Sequence, residues 1–219
     1  TKLPFNPEKD FSYVGGISRF PLALVVHPSF EAKTVKEFLD YVRANPGKLN
    51  YASPGNGSPH HLAMEMFKNR TKTFLTHIPY RGAAPALQDV MGGQVPCMFL
   101  DLAAGLPVIT SGKVRALAIG SAKRVAALPD VPTLAEAGVP NTEVFAFQGI
   151  LAPAGLPAAI TARLNGDLNK ALLNPAVVKR MNDFGMEALP GTPEQFRAMA
   201  RAESKRWGEI IKAAGVKLD

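Results

Sequence analysis

The sequence predicts an α/β fold: an open, largely parallel sheet with helices on both faces. Strand-type and helix-type segments alternate along most of the chain. Capping boxes of the form Ser/Thr-x-x-Glu/Gln fall where three of the helical patterns begin. With 47% apolar and 20% charged residues over 219 positions, the chain carries enough apolar surface to offset its ordering entropy in one large or two small domains.

Residues 20–27 form a continuous apolar β-type run, as expected for a strand buried on both faces. Thr34-Val35-Lys36-Glu37 is a capping box, followed by Phe38, Leu39 and Val42 at helical spacing, and Asn45-Pro46-Gly47 stops that helix. A strand over 49–52 leads through a glycine-rich turn into a helix from Pro59 that carries Leu62, Ala63, Met66 and Phe67. Next come a strand over 74–78 and a helix with Leu87, Val90 and Met91, ended by Gly92-Gly93. A strand over 95–99, a short helix and a strand over 114–119 complete a first domain, roughly residues 22–138.

Thr133-Leu134-Ala135-Glu136 predicts a short helix closed by Gly138 and Pro140. A strand over 144–151 then precedes a helix with Ile160, Leu164, Leu168 and Leu172, and another with Val177, Val178 and Met181 that ends at Gly185. Thr192-Pro193-Glu194-Gln195 opens the last long helix, which aligns Phe196, Met199, Trp207, Ile210 and Ile211 on one stripe. Three helices with so few strands cannot readily close a two-layer core, so this C-terminal part reads as half a domain.

The net charge is +7, but the longest basic runs are the pairs Lys123-Arg124, Lys179-Arg180 and Lys205-Arg206. Without a basic stripe or interleaved aromatics, nucleic-acid binding is not expected, and the charge suits small anionic ligands. The single cysteine, Cys97, excludes an internal disulfide and reads as a small buried hydrophobe. The charge-free stretch 144–162 is broken by Gly149, Pro153, Gly155 and Pro157 into a strand, a turn and a helix start, so no membrane span is expected.

The most informative segment for chemistry is Ser53-Pro54-Gly55-Asn56-Gly57-Ser58-Pro59-His60, between a strand and a helix. Ser58 is placed as N-cap and Pro59 as the first helical residue. Its glycines let the backbone approach a ligand, and the helix N-terminus with the two serine hydroxyls suits an anion. An ordinary capped turn fits the same residues. Neither a complete G-x-G-x-x-G nor a Walker lysine is present, so no nucleotide cofactor is expected. Pro79-Tyr80-Arg81-Gly82 and Asp101 follow the next two strands. In an open parallel sheet such strand ends share one rim, where ligands bind. Arg81 could pair with a ligand carboxylate or stay a solvated loop charge; Asp101 could accept from a ligand hydroxyl or amine or cap the next helix.

Enzyme signatures are scarce. His27, His60, His61 and His77 show no metal-ligand spacing, and no nucleophile elbow or acid pair appears. Two or three charge-assisted hydrogen bonds at ~1.5–3 kcal/mol each, with a helix-end contribution of ~0.3–2, are enough for micromolar binding at ~8 kcal/mol. A receptor is therefore favoured. The alternatives are an α/β hydrolase or transferase acting on a carboxylic ester through Ser53 or Ser58, with His60, His61 or His77 as base, and the effector domain of a transcription regulator.

The ordered motifs Thr1 to Phe11, Val25-Val26-His27-Pro28, Pro46-Gly47-Lys48-Leu49-Asn50-Tyr51, Ser53 to Ser58, Pro79-Tyr80-Arg81-Gly82, Gly112 to Ala118, Leu128 to Thr133, Ala135-Glu136-Ala137-Gly138 and Leu151 to Gly155 resemble the Bug family across essentially the whole chain. Bug or TctC-like proteins are extracytoplasmic solute receptors of tripartite tricarboxylate transporters. The resemblance implies a type II periplasmic-binding-protein-like fold, the two-domain Venus flytrap. It also implies a periplasmic location, a small carboxylate ligand, no metal or cofactor, and membrane permease subunits as partners. On that pattern Ser53, Gly55, Asn56, Gly57, Ser58, Tyr80, Arg81, Gly82 and Asp101 line one wall of the ligand cleft. Relatives often carry Asp where this chain has Leu100, with Asn next; here the acid is Asp101. Members of the family also begin well before Thr1. The resemblance therefore implies a complete domain over 22–138 and an incomplete one from 1–21 plus 139–219, open to self-association through its uncovered apolar surface. Closure about crossover segments near 20–26 and 139–146 is expected.

Overall fold

The computed structural model describes residues 4–216; residues 1–3 of the first motif and 217–219 lie outside them. Among the described residues, seven strands and seven helices follow one another as β1 (Phe11–Val26), α1 (Val35–Ala44), β2 (Asn50–Ser53), α2 (Pro59–Thr71), β3 (Thr76–Pro79), α3 (Ala83–Met91), β4 (Cys97–Asp101), α4 (Leu102–Thr110), β5 (Arg115–Ile119), β6 (Phe145–Pro153), α5 (Ala158–Leu172), α6 (Pro175–Asp183), β7 (Glu187–Ala188) and α7 (Pro193–Ala214).

The sheet runs β3-β2-β4-β1-β5, and β6 and β7 pair with the first half of β1. β2 is parallel to β3 and β4, whereas β1 is antiparallel to β4, β5, β6 and β7. The sheet is therefore mixed. β1 arrives from the smaller half of the sheet and enters the larger half at the rim where the parallel strands end, so it must run against them. This strand is 16 residues long, twice the length its apolar run announced. Its first part, rich in Gly, Ser and Arg, lacks that run but still pairs from Phe11 opposite Pro153 to Pro21 opposite Phe145.

The two-residue period of the strands sorts the core of the larger half into two layers. Leu22, Leu24, Val26, Tyr51, Cys97 and Phe99 point toward α1 and α2, packing with Phe38, Leu39 and Phe67. Ala23, Val25, Ala52, Met98, Leu100 and Ile119 point the other way, against Ala86 and Val90 of α3. Cys97 is fully buried, and burial pushes its thiol well above the ordinary range, so it behaves as a small hydrophobe.

Two local expectations are corrected. Thr133 and Glu136 form both reciprocal capping bonds (3.1 and 2.8 Å), yet the segment is a turn and not a helix. Gly138, at φ 90°, and Pro140 leave too few residues to repay helix nucleation. The short strand β7 was not anticipated; two residues carry no periodic signal.

Two features join the halves of the sheet. Leu22, Gly120 and Val144 close a ring of backbone hydrogen bonds of 2.8–3.0 Å where β1 passes from one half to the other. Helix α7 begins on the smaller half, where Phe196 lies between Tyr13 and Phe147, and ends with Trp207 and Ile210 against the core of the larger half. The smaller half leaves Ile150, Leu151, Ile160 and Leu164 exposed.

Candidate ligand-binding site

β2, β3 and β4 end side by side, with Ser53 opposite Pro79 and β4 alongside β2. The loops that follow are sewn together by backbone: the Tyr80 N–H donates to the Ser53 carbonyl (2.9 Å) and the Gly82 N–H to the Pro54 carbonyl (3.0 Å). Segments 53–58 and 80–82, 22 or more positions apart in sequence, thus form one continuous rim. Gly55 and Gly57 take φ of 146° and 73°, which lets the loop fold back on Ser53.

Within that loop most donors and both hydroxyls serve the loop itself. Ser53 is fully buried; its Oγ accepts from the Gly55 N–H and is 2.6 Å from His77 Nε2. Ser58 caps α2 as expected, accepting from the His61 N–H and donating to the Gly55 carbonyl (2.8 Å), with Pro59 in the first turn. The Gly57 N–H donates to His61 Nδ1 (3.1 Å). Ser53, Ser58, Gly55 and Gly57 therefore shape the rim, and Asn56 projects from it exposed.

A polar column supports the loop from below. Tyr51 stacks on His77 at 4.9 Å and His77 on His61 at 3.9 Å, with ring planes within 18° of parallel. Tyr51 donates to Glu65 (2.6 Å), which also takes Lys68 at 2.6 Å. Burial lowers the pKa of His61, and burial together with its neighbour His61 brings His77 down to about 4. Both rings are thus neutral near pH 7, which His61 requires in order to accept from Gly57. Sequence reasoning missed this column. The only available hint was the adjacency of His60 and His61, whose side chains leave the helix about 100° apart and so meet different neighbours.

On the far side of the rim Tyr80 is anchored by its hydroxyl to Asp89 (2.6 Å) and held up to about 12 by desolvation and that bond. Gly82, at φ 117°, opens α3 without a side-chain cap. Arg81 between them is exposed and makes no hydrogen bond or ion pair among the described residues. Asp101 occupies the N-cap position of α4, with its Oδ1 3.3 Å from Nε2 of the buried His60.

Ser53 and His77 resemble a nucleophile–base pair in distance only. Ser53 has no exposed surface for an ester to reach, and no carboxylate hydrogen-bonds His77 among the described residues. A separate cavity of about 640 Å³ lies across β1 from Asp101, lined by Arg19, Phe20, Gly120, Lys123, Phe145 and Met186 among others. None of the rim residues lines it. Arg19 there is paired with Glu187 (2.8 Å), while Lys123 has no ion pair among the described residues. No group of three or more His, Cys, Asp or Glu among the described residues could hold a metal ion.

The family model described as tripartite tricarboxylate transporter family receptor, TctC, matches residues 1–216. The chain belongs to the TctC receptor family. The UPF0065 protein in the tcbD-tcbE intergenic region of Pseudomonas sp. strain P51 is 36% identical over 211 residues, covering 96% of this chain and 63% of that protein. Among solved structures, R. palustris Rpa4515 with adipate superposes with a TM-score of 0.94 at 34% identity, over 98% of this chain and 72% of that one. The periplasmic binding protein BugD gives a TM-score of 0.90 at 34% identity, over 97% and 72%. The chain thus spans a little under two thirds of the length of the Pseudomonas TctC relative. The mixed sheet of this chain thus lies within a fold that superposes on both structures over nearly its whole length.

Proposed function

We propose that the protein is a periplasmic receptor that captures a small carboxylate on the rim formed by Ser53, Gly55, Asn56, Gly57, Ser58, Tyr80, Arg81, Gly82 and Asp101, and delivers it to the permease subunits of a tripartite tricarboxylate transporter. Family membership supports the receptor class. The observation that carries the anion reading is the uncommitted Arg81 beside the N-termini of α2 and α3, whose dipoles attract the same charge. The adipate complex of a close structural neighbour supports a carboxylate as cargo. No helix among the described residues is long and apolar enough to cross a membrane.

Residues 22–138 act in this reading as one body and the smaller half as the other. Closure bends the ring at Leu22, Gly120 and Val144 while α7 keeps both bodies in register.

A thermal-shift panel of mono-, di- and tricarboxylates tests the proposal. A ligand at a hundred times its Kd adds about 2.7 kcal/mol, a rise of several degrees in Tm. A Tm unmoved by every acid in the panel would overturn the carboxylate reading. Turnover of carboxylic esters, lost in Ser53→Ala or Ser58→Ala, would favour an esterase instead.

A further inference from the structure

His60 and Asp101 are the part of the rim that the loop's own bonding leaves unexplained. Asp101 stands at the N-cap of α4, where a carboxylate ordinarily accepts from the first helical N–H groups, yet its side chain makes no such bond. It turns instead toward His60, whose imidazole approaches to 3.3 Å. The approach is off-line. Asp101 Oδ1 and both ring nitrogens of His60 are buried without an aligned hydrogen-bond partner among the described residues. His60 itself is only 6% exposed, while the Asp101 side chain keeps 23% of its surface. A carboxylate that forgoes its own helix and is backed by a buried imidazole is held for another donor.

That donor has to come from the open side and meet the other carboxylate oxygen, because Oδ1 is itself buried against His60. Resting on the carboxylate-receptor reading above, we infer that His60 and Asp101 set ligand specificity. Asp101 accepts a hydrogen bond from a hydroxyl or ammonium group carried by the ligand, and His60 fixes the Asp101 carboxylate from behind. The preferred cargo is then a small carboxylate with a hydrogen-bond donor on a nearby carbon. A plain dicarboxylate brings only acceptors, so its charge meets the Asp101 carboxylate with nothing between them, and the rim selects against it. His60 is too deeply buried to touch the cargo. It is a positioning residue that acts through Asp101.

The test compares donor-bearing acids with their plain parents by titration calorimetry: malate and aspartate against succinate, and 2-hydroxyadipate and 2-aminoadipate against adipate. In the unaltered protein a hydroxy or amino acid should bind at least tenfold more tightly than its parent, about 1.4 kcal/mol. The arm that shows the preference tells hydroxyl from ammonium. Asp101→Asn should abolish an ammonium preference and reduce a hydroxyl preference severalfold, and it should tighten binding of the parent acid, whose charge then no longer faces a carboxylate. His60→Leu should lower the preference in the same sense, and His60→Gln, which keeps a polar side chain beside Asp101, should recover part of it. A merely structural His60 would weaken parent and donor-bearing acids equally. Equal binding of parent and substituted acids, or a preference that survives both Asp101→Asn and His60→Leu in folded protein, overturns this inference alone. Binding of no carboxylate at all overturns the receptor reading and this one with it.

Discussion

The imidazole of His61 lies flat against that of His77, centroids 3.9 Å apart and planes 15° from parallel, directly beneath the glycine loop of the rim. Each ring touches that loop from a different element. His61 on α2 takes the Gly57 N–H, and His77 on β3 meets the Ser53 hydroxyl. The loop's shape therefore depends on two histidines staying uncharged.

Acid should destabilise the fold through this pair. His77 titrates at about 4 when folded, and His61 is also lowered, against about 6.5 in an unfolded chain. Between pH 6.5 and 4 the unfolded chain binds more protons, so stability falls as pH falls through that window and levels off below it. Allowing for solvent screening of half-buried rings, the loss is on the order of 1–2 kcal/mol. Urea unfolding of the protein and of His77→Gln at pH 7 and 4.5 measures it. A slope as steep in the variant as in the parent would rule the pair out as its source.

Ser53→Ala removes the fully buried hydroxyl that ties Gly55 to His77. The expected cost is about 1–2 kcal/mol, since the half-buried Gly55 N–H and His77 ring each lose a hydrogen bond. Carboxylate binding should weaken with it, because the loop backbone loses its anchor. Undiminished affinity in a destabilised Ser53→Ala protein would separate the loop from the site.

Gly120→Ala places a Cβ against Val144 Cγ2 and about 3 Å from the carbonyls of Val144 and Leu22, inside the ring that joins the two halves. The crowding should cost about 1–3 kcal/mol. If the ring is the hinge, the small-angle scattering change on adding ligand should also shrink. A melting temperature within a degree of the parent would show that the strands part freely.

Arg81→Ala should leave stability within about 0.5 kcal/mol, as expected for an exposed side chain without a partner. Carboxylate affinity should drop roughly tenfold, in line with loss of one charge-assisted hydrogen bond, and its salt dependence should flatten. Affinity unchanged by the substitution would remove Arg81 from the site.

Much of the fold was legible because it is written in local signals. Ser58 and Pro59 announce the start of α2, the Thr192–Gln195 box announces α7, and each box forms both or one of its expected bonds. The Thr133–Glu136 box shows the limit: its bonds form, but the helix does not, because cooperativity needs more residues than Gly138 and Pro140 allow. The rim segments were equally readable, as glycine turns and polar residues placed at strand ends.

By itself, the sequence determined the alternation of elements, their caps, the two-layer core and which loops end on the rim, since these follow from spacing and side-chain type along the chain. Only the tertiary structure decided that β1 runs against its neighbours, that His61 and His77 stack beneath the loop, and that Asp101 turns from its own helix to His60. Those relations join residues 16 or more positions apart, and strand direction and side-chain orientation across such separations are set by how the sheet assembles.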